Sequence, residues 1–237
     1  SAGTVALTGE AVAGHHSEGR YDLTKAKGEV AYCRRRAEAM LENASPLMDI
    51  YREDGAARLN AFLLADSRTP GRRRYILHTP PLCTMEPDCL AALLEKQGLP
   101  EENRQRIRAY ARTRREQLET ILLTDTVHLE LPRLTERAFA QFPPALPLSG
   151  LFYGQDVPYT YETYLAHLAQ TEAFAAAHPR CELEFTGGGA FRNLQITIHE
   201  GQWAMVSKGK SPAIHFVIRH PKLRAAIERF VPPMVEE

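Results

Sequence analysis

The chain predicts an α+β fold, with a helix-rich N-terminal half and a C-terminal half built on a mostly antiparallel sheet with a closing helix. Three observations predict it. Before residue 142, apolar residues recur at helical spacing, as in Ile107, Tyr110, Ala111, Leu118, Ile121 and Leu122. Residues 180–219 hold four short strand-like runs separated by Gly and Pro signals. The second alternates Leu194, Ile196 and Ile198 against Asn193, Gln195, Thr197 and His199. Beyond Pro221 the helical period returns.

The 29 basic and 29 acidic residues give zero formal net charge. Without a basic excess to hold phosphates by counterion release, nucleic-acid binding by this chain alone is disfavoured. Cys33, Cys83, Cys89 and Cys181 form no CxxC pair and read as reduced, mostly buried thiols. No run approaches the ~18 apolar residues of a membrane span and no signal-peptide pattern opens the chain, so the expected location is cytoplasmic. The start at Ser1-Ala2-Gly3, without Met, suggests a natural N-terminus further upstream.

Taken in order, residues 1–20 are small and Gly-rich and predict a linker or flexible tail. A single α+β domain is expected over 21–237, with a candidate sub-domain boundary near 142–147. His15-His16 reads as an exposed pair. Residues 21–43 turn helical, with Val30, Cys33, Ala37, Met40 and Leu41 as the apolar stripe and Arg34, Arg35 and Arg36 outward. Ser45-Pro46 predicts a second helix carrying Leu47, Ile50 and Tyr51, because Ser caps free amides and Pro fits the first helical position. Residues 73–78 predict a short strand. Pro87 opens a helix that Gly98 closes, and Pro100, Glu101 and Glu102 start a long helix to about residue 123. A strand over 126–131 stops at Pro132, a brief helix follows over 134–141, and 148–153 predicts another short strand. Thr160 caps a helix running to 177.

No GxxxxGK[ST], GxSxG, HExxH or EF-hand pattern occurs, so no catalytic residue, metal ligand or cofactor is assigned. Gly187-Gly188-Gly189 reads as a hairpin turn, and so does Gly209-Lys210-Ser211. The polar face of the last strands is the chemically richest surface. His215 and Arg219, joined by Gln195, Thr197, Trp203, Ser207 and Lys208, form a candidate ligand-binding set for a polar or anionic small molecule. The plain alternative for the same alternation is a solvent-facing sheet surface.

The strings YILHTPPLCTMEP, RREQLETILLTD, SGLFYGQDVPYTYETYLAHLAQTEAF and above all SKGKSPAIHFVIRHPKLRAAIE resemble the C-terminal effector regions of bacterial XRE-type helix-turn-helix transcriptional regulators. The resemblance spans roughly residues 21–232. It implies a regulatory domain that senses an intracellular small molecule, forms a homodimer, and touches DNA only through a helix-turn-helix domain absent from this chain. The competing expectations are an oligomerisation scaffold without ligand, and a small hydrolase or transferase using His215 with a carboxylate.

Overall fold

The computed structural model describes residues 3–186 and 193–231, so the Gly187-Gly188-Gly189 turn lies outside the described residues. The chain divides into two compact units, Ser1–Pro46 and Leu47–Glu237. The first contains a hairpin of β1 (Ala6–Val12) and β2 (His15–Thr24), followed by α1 (Lys27–Glu42). Where a tail was expected, β1 and β2 pair antiparallel, with Leu7 opposite Leu23 and Gly9 opposite Tyr21. The Tyr21 ring lies where a Cβ on Gly9 would stand, 2.5 Å from its Cδ1. The stripe predicted for α1 does not form a core. Val30 is buried, whereas Met40 and Leu41 are 69% and 70% exposed, so periodicity alone overstated the packing of this helix.

The second unit starts with β3 (Met48–Tyr51) and α2 (Ala56–Asp66), continues through β4 (Arg73–Ile76), α3 (Pro87–Lys96) and α4 (Glu101–Leu122), and then β5 (Val127–Pro132) and α5 (Glu136–Gln141). It is completed by α6 (Tyr161–Ala177), β6 (Cys181–Thr186), β7 (Leu194–His199), β8 (Trp203–Lys208), β9 (Ile214–Ile218) and α7 (Pro221–Glu228). One seven-stranded sheet has the order β3-β9-β8-β7-β4-β5-β6. The pairs from β3 through β4 are antiparallel, and β4-β5 and β5-β6 are parallel. The sheet therefore draws on both halves of the chain, and no break falls at 142–147, since β5 and β6 on either side are neighbours.

Local signals explain the helices. Pro87 occupies the first turn of α3, and Gly98, at φ +65°, follows its end in a conformation that side chains disfavour. Thr160 and Thr163 form a reciprocal capping box at the start of α6. Two predicted elements differ. Residues 48–51 form β3 rather than a helix, because a run of only four residues takes whichever partner is open, here the edge of β9 through Tyr51–His215 and Asp49–Val217. The strand expected over 148–153 is a short 3-10 turn, Ser149–Leu151, after which Phe152 adopts a left-handed conformation at φ 50°.

The sheet face carrying Leu129, Met205 and Val217 packs beneath helices. Leu59 and Leu63 of α2 meet Trp203, Met205 and Val217, while Leu118 and Ile121 of α4 and Phe174 of α6 meet Val127, Leu129 and Cys181. Leu94, Ile107, Leu131 and Tyr164 close a third cluster with 0% exposure, each burial contributing about 1.5–3 kcal/mol. On the opposite face, Ile76, Ile196, Ile198 and Ala204 pack with Ile227 of α7 and Phe230. All four cysteines are free thiols. Among the described residues, no helix is long and apolar enough to cross a membrane.

Candidate functional site

Three of the seven predicted site residues come together. Cross-strand register places Gln195 of β7 opposite Ser207 of β8, and Ser207 opposite His215 of β9. His215 Nδ1 lies 2.7 Å from Ser207 Oγ, and Nε2 lies 3.1 Å from the Ser149 carbonyl. A carbonyl only accepts, so Nε2 carries the proton and Nδ1 accepts from the serine hydroxyl. Gln195 Nε2 reaches Ser149 Oγ at 3.5 Å, and the Phe152 and His215 rings meet in a T-shaped pair with centroids 5.1 Å apart. Ser207 and His215 are 0% and 1% exposed, which overturns the solvent-facing reading of this surface. Burial lowers the His215 pKa against the opposing Ser149 hydrogen bond.

A serine beside a histidine suggests nucleophilic chemistry, but both histidine nitrogens are engaged and neither side chain meets solvent. The arrangement fastens the 149–152 turn to the sheet. His215→Ala is expected to cost about 2–4 kcal/mol in chemical denaturation, through the lost packing and the Ser149 carbonyl left without a donor. Unchanged stability would show that the fastening is idle.

The other four predicted residues disperse. Thr197 is buried opposite Tyr75 and Met205. Trp203 belongs to a network centred on Asp66, which sequence reasoning missed. Asp66 Oδ1 accepts from Trp203 Nε1 and from His199 Nδ1, both at 2.7 Å, and Oδ2 accepts from Arg73 Nη2 at 3.1 Å. Arg73, 2% exposed, also donates to the carbonyls of Thr69 and Gly71, each at 2.7 Å. Gly71, at φ +140°, leaves no room for a side chain, because a Cβ would lie 2.3 Å from His199 Nε2. Lys208 points to the opposite face in register with Leu194 and Ile214, and its Nζ donates to the Pro212 carbonyl at 3.3 Å. Arg219 pairs with Asp49 and covers the Phe62 ring at 5.0 Å.

A cavity of about 420 Å³ opens elsewhere, beyond the carboxyl ends of β4 and β5, where β7 begins and β8 ends. Carboxyl ends of parallel strands are where open α/β sheets bind ligands, and the volume falls in the small-molecule range. Leu134, Phe142 and Leu146 supply apolar wall; His78, Asn193 and Lys210 supply polar groups. His78 follows β4, and its Nδ1 is buried with no hydrogen-bond partner among the described residues. Burial lowers the His78 pKa to about 4, against a hydrogen bond to the Leu194 backbone and with help from the Lys210 charge. Gly209 permits this packing, because a Cβ there would stand 2.8 Å from His78 Cε1. Its N–H donates to the Asn193 carbonyl at 2.7 Å, tying the cavity's two strand ends together.

None of the seven predicted residues lines this cavity. The one available signal was Gly209-Lys210, which is a turn as expected but delivers Lys210 to the rim. Among the described residues, no group of three or more His, Cys, Asp or Glu is placed to hold a metal ion. No protein-family model matches the chain, and no curated protein matches it.

Proposed function

We propose that the chain is the effector-sensing region of a transcriptional regulator and that the cavity between His78, Asn193 and Lys210 receives its small-molecule ligand. The observation that carries this reading is a cavity of ligand size at the carboxyl ends of β4 and β5, lined by both apolar side chains and polar residues. The resemblance to effector regions of helix-turn-helix regulators supplies the regulatory context. Zero net charge agrees with DNA contacts residing in a separate module, and such a regulator acts in the cytoplasm. Binding changes DNA affinity only where the ligand prefers one of two arrangements of the protein.

A thermal-shift screen of the chain against intracellular metabolites tests this. A ligand at about 100 times its Kd adds roughly 2.7 kcal/mol and raises the midpoint. Ala138→Trp, which fills the cavity from α5, should abolish the shift while leaving the unliganded midpoint within a few degrees. Hits that persist undiminished in this variant would move the site elsewhere.

The oligomerisation reading also has a specific observation. Leu7, Tyr21 and Leu23 on the β1–β2 hairpin are 68%, 53% and 66% exposed, more apolar surface than an isolated hairpin ordinarily leaves to water. Homodimerisation therefore accompanies the proposal. Sedimentation at tens of micromolar should show a dimer that Leu23→Glu weakens, and a monomer throughout would remove it.

A further inference from the structure

The space between α4 and the sheet holds a smaller cavity, of about 20 Å³. Its polar lining is Arg114 and Gln117 of α4, Tyr75 of β4, Thr197 of β7, and Asp66 and Ser67 at the end of α2. Tyr75 and Thr197 are direct cross-strand partners, and the cavity sets them against the Arg114 turn of α4. It shares no lining residue with the cavity at His78.

Charge is the first constraint on an occupant. Arg114 is half-buried, and among the described residues it pairs with no carboxylate. Asp66 is the one carboxylate in the described lining, and its oxygens are taken by Arg73, His199 and Trp203. Arg73 and Asp66 offset each other, so Arg114 gives the cavity an excess positive charge. Withdrawing a cation from water is costly unless a counter-charge meets it.

The hydrogen-bonding groups impose the second constraint. Arg114 Nη1 donates to Gln117 Oε1 at 2.5 Å. Arg114 Nε and Nη2, the Gln117 Nε2, and the Tyr75 and Thr197 hydroxyls make no hydrogen bond among the described residues, and each keeps surface open to a water-sized molecule. Guanidinium and amide nitrogens only donate and hydroxyls can donate, so the group they lack is an acceptor. Size is the third constraint. About 20 Å³ exceeds the ~10–15 Å³ that one water needs and lies far below the ~300 Å³ at which small-molecule sites begin. We infer that this cavity binds a single monatomic anion, chloride in a cell, held by Arg114, Tyr75, Thr197 and Gln117. The ion neutralises Arg114 and ties α4 to β4 and β7.

Chloride and gluconate at equal ionic strength separate site binding from general screening, because gluconate is too large for the cavity. Saturating chloride should raise the thermal midpoint of the full chain by roughly 2–5 °C over gluconate. Arg114→Met should remove that difference, whereas Arg112→Ala, at an exposed position of the same helix, should keep it. Tyr75→Phe and Thr197→Val each remove one hydroxyl and leave the charge in place. In both, the chloride concentration giving half the shift should rise about 3- to 10-fold, which decides the matter if Arg114→Met does not fold. In crystals soaked in bromide, an anomalous peak should lie in contact with Arg114, Tyr75 and Thr197.

Equal midpoints in chloride and gluconate overturn the site. So does a chloride shift that survives Arg114→Met, or a half-shift concentration unchanged in both hydroxyl variants. Bromide peaks confined to the outer surface overturn it as well and leave water as the occupant.

Discussion

Asp66→Ala is expected to destabilise the second unit by about 3–5 kcal/mol, lowering its thermal midpoint by roughly 10 °C. Asp66 side-chain exposure is 9%, and the carboxylate is the shared acceptor for three buried donors. Removing it leaves the Arg73 guanidinium, 1% exposed in its side chain, as an uncompensated buried charge. It also strands the Trp203 indole N–H and one nitrogen of His199. Asp49→Ala provides the contrast. Its partner Arg219 is about half exposed, and breaking that surface pair should cost less than about 1 kcal/mol. Equal effects of the two substitutions in urea melts would contradict the distinction.

The same network fixes a sign in the pH dependence. Burial opposes ionisation of Asp66, yet the hydrogen bonds from His199 and Trp203 and the Arg73 charge together hold its pKa below the usual value. A depressed carboxylate contributes its stability fully above the unfolded Asp value of about 4 and loses it as pH falls through the folded pKa.

A larger acid effect begins earlier. His78, His167 and His215 are all held neutral by burial, with folded pKa values of about 4 for His78 and about 3 for His167, and a lowered one for His215. His167 is closed in by Tyr159 at 2.8 Å and the Pro81 carbonyl at 3.1 Å. Unfolding frees each ring to protonate near 6.5, so stability is full above that pH and declines below it. Each histidine adds a slope of up to about 1.4 kcal/mol per pH unit. Proton uptake on unfolding should reach about two to three per molecule near pH 5. His167→Gln should reduce that uptake by about one, and an uptake near zero would show that these rings are not buried neutral.

What could be read from the residues follows the range of the interactions. α3, α4 and α6 announce themselves through Pro87, Gly98 and Thr160, and β7 to β9 through their period of two, because those signals lie within a few residues of their effect. The 48–51 run was ambiguous because its strand identity depends on β9, about 166 residues later. Alternation correctly separated the two faces of β7 and β9 but not which one is covered. The polar face lies under α2 and α4 because Leu59, Leu63 and Leu118 find apolar partners there between the polar ones. The hub at Asp66 and the cavity at His78 left no local trace. Asp66 meets His199 and Trp203 across 133 and 137 residues of sequence, and His78, Asn193 and Lys210 line one cavity only once β7 is laid beside β4 and β8 beside β7.

The claim that the ligand site lies at the carboxyl ends of β4 and β5, rather than on the predicted polar face, is tested most directly by amide chemical-shift mapping with a thermal-shift hit. The cavity predicts that the largest perturbations fall on His78, Asn193, Gly209 and Lys210, with Ser207 and His215 unmoved. Perturbations centred on Ser207 and His215, with His78 silent, would contradict it.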